Sequence, residues 1–412
     1  MKRIKACRVC QSPNITEILD LGKQPYANSL LKSLDEKEKL YPLSVSYCSN
    51  CSLVQLNETA EPTDLFSNYV WVTSTSKTAL EHAKSFYNEV LTRMPNLKES
   101  YVLEVASNDG AFLKPFTENN YIVLGVDPAK NIADIAIANG IPTECKFFGV
   151  KAAGEIVEER GQARVVVARN VLPHVANLHD FVQGLQMCLD EDGILAIEFH
   201  YAKVIYEGLH YDSIYHEHLC YYTLKSVEKL LNQYDLFVVD IIKSPISGGS
   251  LILYIRKGKK GKESPVVQSY RDAEKAAKVN ELNSWENFAK RVYSHRQQLM
   301  EILTEAMKKN GPIVGYGASA RSSTLLNFCK IDTRVVSMIA DQNELKQGKY
   351  TAGTHIPIAD PVKVMKEKPG CVLILAWNFA DEIIQILRDK YHYTGMAMLP
   401  LPNDPTVVNI GK

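Results

Sequence analysis

The sequence predicts an α/β protein built in three parts: a small cysteine-bearing module, a central unit of alternating strands and helices, and a second, smaller α/β unit. Three observations predict it. Cys7-x-x-Cys10 and Cys48-x-x-Cys51 stand in a stretch with few helix-period patterns. From residue 101, apolar runs alternate with helix-period runs, the pattern of a parallel sheet covered by helices. After a charged stretch, KGKKGKESP, the strand–turn–helix pattern restarts at GPIVGYGASARSSTLLN.

The elements follow in order. Ser76 or a neighbour caps a helix starting near Thr78. YVLEVASNDG is a strand running into a small-residue turn, AFLKPFTENN a helix, YIVLGVDP the next strand. IADIAIANG is a helix ending at a Gly, and ARVVVARNVLPHV a strand and loop. FVQGLQMCLDEDG is a helix with a Gly stop, and ILAIEFHY a further strand. A long helical pattern runs from about 267 to 309, followed by the strands TRVVSMIAD and CVLILAW. The expected divisions are 1–65, 66–255 and 256–412, the last with a leading helix.

Composition narrows the function. Apolar content is 46% and charged content 23%, a globular profile. Lys+Arg and Asp+Glu are both 47, and zero net charge argues against nucleic acid as main partner, because such binding rests on neutralising phosphates. No apolar run is long enough to span a membrane, and MKRIKACRVC lacks a signal-peptide core, so a cytoplasmic protein is expected. Nine cysteines, an odd number, speak against a disulfide framework.

Two Cys-x-x-Cys knuckles supply four soft ligands for tetrahedral zinc, and the long insert between them is tolerated if the pairs close in space. Cys7, Cys10, Cys48 and Cys51 are therefore expected to hold a structural Zn²⁺.

Glu104-Val105-Ala106-Ser107-Asn108-Asp109-Gly110 lies at a strand-to-helix junction, and Asp127 closes the next strand. Small residues let a ligand approach the backbone, and a following acid binds ribose hydroxyls. The turn is not GxGxxG, and Glu104 and Asp109 would repel a pyrophosphate. A cationic sulfonium with a free amino group suits it better, so S-adenosylmethionine is expected rather than NAD. Pro128 and Phe148 are counted among the cofactor contacts, and Asn170 and His174 fall at the tip of the ARVVVAR strand. Gly315-Tyr316-Gly317-Ala318-Ser319-Ala320-Arg321 opens the later helix as a glycine turn, with Asp341 after the following strand. Such a turn offers N–H groups to an anion.

With these pieces placed, the chain resembles the three-domain sugar C-methyltransferases that act on dTDP-4-keto-deoxysugars. The motifs carrying the resemblance are the two Cys pairs, VLEVASNDG, RNVLPHVANLHDF, YDSIYHEHLCYYT, GYGASARSSTLLN, LKQGKYTAGTHIPI and LILAWNFADEI. The resemblance implies a Rossmann-like class I methyltransferase domain flanked by an N-terminal zinc-binding domain and a C-terminal Rossmann-like α/β domain. It implies that the zinc domain helps bind a nucleotide sugar, dTDP- or otherwise NDP-linked, and that the C-terminal unit closes over it. The family's Tyr-x-Glu-His pattern matches Tyr215, Glu217 and His218; an earlier family His matches His174, and a family Tyr matches Tyr69. Ser250, Tyr316 and Arg321 fall on the substrate side, as does Trp71, which stands where a Tyr is expected. Ile246-Ser247-Gly248-Gly249-Ser250-Leu251-Ile252 replaces the family's Thr-His-Gly-Gly-Ser-Leu-Arg, and Arg321 stands where Lys is common.

Such chemistry needs a carbon nucleophile. Removing the proton beside a 4-keto group gives an enolate, so one group must take a proton and others must stabilise charge on oxygen. His218 is the expected base, Glu217 its orienter or a binder of sugar hydroxyls, and Tyr215 and His174 donors to the oxygen, with Tyr221 and Tyr222 as walls. Three readings compete: an O-methyltransferase, an NAD(P)-dependent oxidoreductase using the C-terminal turn, and a zinc-bearing interaction protein. A monomer or weak dimer is expected.

Overall fold

The structure, a computed structural model, describes residues 1–66, 72–244, 246–258 and 262–411. Tyr69 and Trp71 lie outside the described residues.

The first sheet is antiparallel, with strands in the order Cys220–Tyr221, Val54–Leu56, Tyr41–Cys48 and Ile15–Gln24. Its first strand comes from far along the chain: Cys220 pairs with Gln55 and Tyr221 with Val54. The central sheet has seven strands in the order Leu236–Ser244, Ser250–Lys257, Leu189–His200, Ala163–Arg169, Tyr101–Val105, Ile122–Val126 and Thr143–Glu144. The last five run parallel to one another, and the 236–257 hairpin adds two antiparallel strands. Parallel strands buried on both faces need near-continuous apolar runs, and Ala163–Arg169 and Tyr101–Val105 are of that kind. The third sheet has the order Ile358–Ala359, Val336–Ala340, Ile313–Tyr316, Cys371–Ile374, Met396–Leu399 and Thr406–Asn409, parallel except for its last strand.

Ser76 caps the Lys77–Arg93 helix, its side chain accepting from Ala79 N. The helix expected to stop at Gly193 ends earlier, at Cys188. Leu189 is already paired with Ala163, and Gly193 sits inside the strand, where a Cβ would come within 2.9 Å of Arg164 O. The long helical pattern is two helices, Pro265–Ala276 and Leu282–Asn310. The break between them is a three-way joint. Asn280 donates to Glu274 at 2.8 Å and accepts from the Thr223 hydroxyl at 2.8 Å, while its carbonyl accepts from Tyr47 OH at 2.6 Å. Local periodicity does not register such long-range partners. One continuous core joins the three sheets, from Leu43 and Val45 through Leu195 and Tyr211 to Trp285, Leu326 and Leu373.

Candidate active site

The turn after Tyr101–Val105 is tight, with positive φ at Ala106, Asn108 and Gly110. Gly110 is required there: at φ +75° an added Cβ would meet Ile141 Cγ1 at 2.7 Å. Asn108 N donates to Asp127 Oδ2 at 2.9 Å, and Ala129 N to Asp127 Oδ1 at 2.9 Å. Asp127 thus stitches two strand ends together and keeps further lone pairs for a ligand hydroxyl. Asn108 Oδ1 accepts from Thr73 N at 2.9 Å and Asp109 Oδ2 from Ser74 N at 3.0 Å, clamping the segment that leads into the Lys77–Arg93 helix. Glu104 is buried and bound by Arg169, with Nη2 at 2.7 Å and Nε at 2.8 Å from Oε1. The charge that Glu104 was expected to present to a ligand is therefore largely met inside the protein.

A cavity of about 810 Å³ opens over this turn. Its walls bring together Ala106, Asn108, Asp127, Pro128, Phe148 and Asn170 on one side and His174, Tyr215, His218 and Arg321 on the other. Phe148 meets Phe181 edge to face at 5.5 Å, an apolar wall on which a purine can lie. Glu104, Asp109, Gly110, Glu217, Ser250 and Tyr316 are not among its lining residues.

The Tyr211–Thr223 stretch carries the densest chemistry. His218 Nδ1 lies 2.8 Å from Ser213 O. A carbonyl only accepts, so Nδ1 carries the hydrogen and Nε2 has the lone pair. Tyr215 OH donates to that Nε2 at 2.8 Å. The His174 ring packs against His218 with centroids 4.8 Å apart. Burial, with the neighbouring His174 second, holds His218 well below the usual imidazole range. Burial lowers His174 to about 4. Both rings are neutral at pH 7.

Glu217 points the other way. Its Oε1 accepts from Asn28 Nδ2 at 2.6 Å, and burial pushes its carboxyl up to about 7. His216 Nε2 donates to Pro42 O at 3.1 Å. Together with the Cys220–Tyr221 pairing, these contacts sew the stretch on both sides of His218 into the N-terminal sheet.

At the C-terminal glycine turn, Ala318 N donates to Asp341 Oδ2 at 2.8 Å, and Lys346 Nζ donates to Ala318 O at 2.7 Å. The turn's amide is therefore already occupied by Asp341, which disfavours a dinucleotide there. Gly317 has φ +93°, and a Cβ on it would lie 2.5 Å from Ala376 Cβ. Tyr316 is buried, its hydroxyl accepting from Gln342 at 3.1 Å. Ser250 is buried opposite His200 in the sheet. Ser319, Ala320 and Arg321 reach the cavity.

Many lining residues escaped the sequence reading, two of them polar residues at the ends of strands. Arg169 and His200 both end parallel strands at the carboxyl edge, where open α/β sheets bind ligands. A polar residue closing an apolar strand was the available signal.

The four cysteine sulfurs lie within 4.8 Å of one another, with Cys7–Cys51 and Cys10–Cys48 each at 3.5 Å. Tetrahedral thiolates at about 2.3 Å from zinc stand about 3.8 Å apart, so the cluster fits that ion with no position left for a substrate.

The cavity and its turn define an S-adenosylmethionine-dependent methyltransferase, and matches to known families agree. A methyltransferase domain family matches residues 79–241, a zinc binding domain family residues 7–66, and the family described as "C-methyltransferase C-terminal domain" residues 245–402. C-methyltransferase NovU of Streptomyces niveus is 30% identical over 412 residues, covering 99% of this chain and 98% of that protein. The chain belongs to this family of C-methyltransferases with an N-terminal zinc-binding domain. Among solved structures, the magnesium protoporphyrin IX methyltransferase of Synechocystis PCC 6803 with bound SAH is 14% identical. That match covers 46% of this chain and 90% of that one, with a TM-score of 0.35. The plantazolicin methyltransferase BpumL in complex with SAH, also 14% identical, covers 45% and 88% with a TM-score of 0.36. No helix among the described residues is long and apolar enough to cross a membrane.

Proposed function

We propose that the enzyme methylates a carbon next to the ketone of a nucleotide-linked 4-keto-deoxysugar, with His218 as the base. The observation that carries this reading is the neutral His218 ring, its lone pair fixed on Nε2 by Ser213 and lying on the wall of the cavity that also holds the Asn108–Asp127 turn.

When bound, S-adenosylmethionine supplies a methyl group on a positive sulfur and leaves as a neutral thioether. Asp127, Asn108 and Phe148 hold it: a carboxylate for ribose hydroxyls, a turn for the amino-acid end, an aromatic wall for the base. His218 Nε2 takes the proton from the substrate carbon. The electron pair left behind spreads onto the ketone oxygen, and the carbon then captures the methyl group. His218 returns its proton to water. Tyr215 OH occupies the Nε2 lone pair at 2.8 Å in the absence of substrate, and turns to donate to the ketone oxygen once the substrate C–H takes its place. His174, packed on His218 with centroids 4.8 Å apart, helps bury the ring, and that burial is the main reason His218 rests unprotonated and ready to accept the substrate proton. Arg321, at the head of the Ala320–Cys329 helix, lies on the His218 side of the cavity, 3.3 Å from His200 Nδ1, and brings its charge there for the substrate's phosphates. The three proposed divisions of labour follow residues 1–65, 66–255 and 256–412.

The test is substrate C–H exchange with solvent deuterium, with S-adenosylhomocysteine in place of the methyl donor. Wild-type protein should wash deuterium into the carbon beside the ketone of a dTDP-4-keto-deoxysugar. His218→Ala should abolish both exchange and methyl transfer while binding S-adenosylhomocysteine within about threefold of wild type by calorimetry. Full activity in that variant, or methyl transfer to oxygen without exchange, would overturn the proposal.

A further inference from the structure

We infer that Thr324, on the Ala320–Cys329 helix, is a positioning residue for the His218 base. Its hydroxyl holds the peptide group that lies between the two groups addressing the two ring nitrogens. The inference rests on the enolate chemistry proposed above, in which His218 Nε2 takes the proton.

His218 is addressed at both nitrogens from one short segment. Ser213 O accepts from Nδ1 at 2.8 Å, and Tyr215 OH donates to Nε2 at 2.8 Å. Ile214 is the residue between them. A carbonyl points where its peptide plane directs it. The plane that carries Ser213 O also carries Ile214 N, which donates to Tyr211 O at 3.0 Å and closes the Tyr211–Ser213 turn. The next plane carries Ile214 O and Tyr215 N. Ile214 O accepts from Thr324 Oγ1 at 2.8 Å, and no backbone amide among the described residues reaches it. The two planes meet at the Ile214 Cα. The first hydrogen bond aims Ser213 O, and the second fixes the direction in which Tyr215 leaves the turn.

Thr324 is a firm support for that plane. It is buried inside a helix whose first turn is capped by Ser319. A threonine hydroxyl in a helix commonly turns back to a carbonyl three or four residues earlier. Here it donates instead to a turn more than a hundred residues away in sequence, with a separation of 110. Tyr211 anchors the same turn on the same helix, its hydroxyl 3.4 Å from Cys329 Sγ and its ring packed on Phe328 at 5.5 Å. Arg321 stands one turn before Thr324 and lines the cavity. One rigid element thus brings a cation to the cavity at its head and steadies the base from its next turn. A hydroxyl that only satisfied a buried carbonyl would matter to folding alone. One that sets the plane between Ser213 and Tyr215 also keeps the hydrogen on Nδ1 and the lone pair on Nε2.

Three variants test it. Thr324→Val keeps the shape and deletes the donor, Thr324→Ala deletes the same donor without adding a methyl group, and Thr324→Ser keeps the hydroxyl. The readouts are the deuterium exchange described above, kcat and KM for methyl transfer to a dTDP-4-keto-deoxysugar, and the nitrogen-15 spectrum of histidine-labelled, substrate-free protein. The His218 signals are assigned by their loss in His218→Ala. The wild type should show Nδ1 protonated and Nε2 unprotonated. Thr324→Val and Thr324→Ala should lower exchange and kcat by about tenfold, the rate equivalent of about one hydrogen bond. KM should stay within about threefold, and the His218 signals should become those of mixed tautomers. Thr324→Ser should return exchange to within about threefold of wild type and restore the single tautomer. Exchange in Thr324→Val and Thr324→Ala within about threefold of wild type overturns this inference and leaves His218 as base. Slowed exchange with an unchanged His218 spectrum also overturns it, as does a Thr324→Ser variant no better than Thr324→Ala, since lost packing would then account for the effect. Absence of exchange in the wild type overturns the enolate reading and this inference with it.

Discussion

Replacing Glu217 with Gln should stabilise the enzyme at alkaline pH, although it removes a charged residue beside the proposed base. Glu217 is 4% exposed, and burial pushes its carboxyl from an ordinary 4.5 up to about 7. Between those two values the folded protein holds a proton that the unfolded chain has released. Stability therefore falls as pH rises through that window, and the full penalty stands above pH 7. At about 1.4 kcal/mol per pH unit, ionised Glu217 costs folding about 3 kcal/mol at pH 8. Gln is uncharged at every pH and its Oε1 still accepts from Asn28, now 2.6 Å from the carboxylate. Urea unfolding of the zinc-loaded protein, followed by tryptophan fluorescence, should show Glu217→Gln more stable by about 2–3 kcal/mol at pH 8 and by little near pH 4.5. A variant less stable than wild type at pH 8, or an offset equal at both pH values, would refute the reasoning.

Cys48→Ser should release bound zinc, measured by metal analysis, and lower methyl transfer by at least about tenfold while S-adenosylhomocysteine still binds; unchanged turnover without metal would contradict the link between the N-terminal sheet and His218. Arg169→Met should strip the buried Glu104, and also Glu198 at 3.8 Å, of their cation. The expected loss is about 3–5 kcal/mol in urea unfolding at pH 7, since the carboxylates stay buried without their partner; a loss under about 1 kcal/mol would show that His82 and Ser244 suffice for Glu198.

What could be read from the chain was whatever is encoded locally. Paired cysteines, the Glu104–Gly110 turn, the Ser76 cap and the alternation of strands with helices each depend on a few adjacent residues. Resemblance to a family added the Tyr215–His218 pattern, and the structure puts those two side chains in contact. The parts that could not be read depend on partners remote in sequence. Nothing around Cys220 announces that it pairs with Gln55, and nothing around Lys278 announces a joint between helices. Glu104 read as a free charge because its cation, Arg169, arrives from a neighbouring strand. Glu217 read as the orienter of His218 or a binder of sugar hydroxyls, and in the turn closed by His218 N to Tyr215 O its carboxylate accepts instead from Asn28, a partner remote in sequence.

The strand Cys220–Tyr221 belongs to one folding unit by sequence and to another by hydrogen bonding. Anyone building chimaeras from such enzymes would find that the first sixty or so residues and the Tyr211–Thr223 segment are one heritable cassette. Exchanging either without the other would mismatch a seam that fixes the position of the His218 ring, so diversification of this enzyme is expected to proceed by paired changes across that seam.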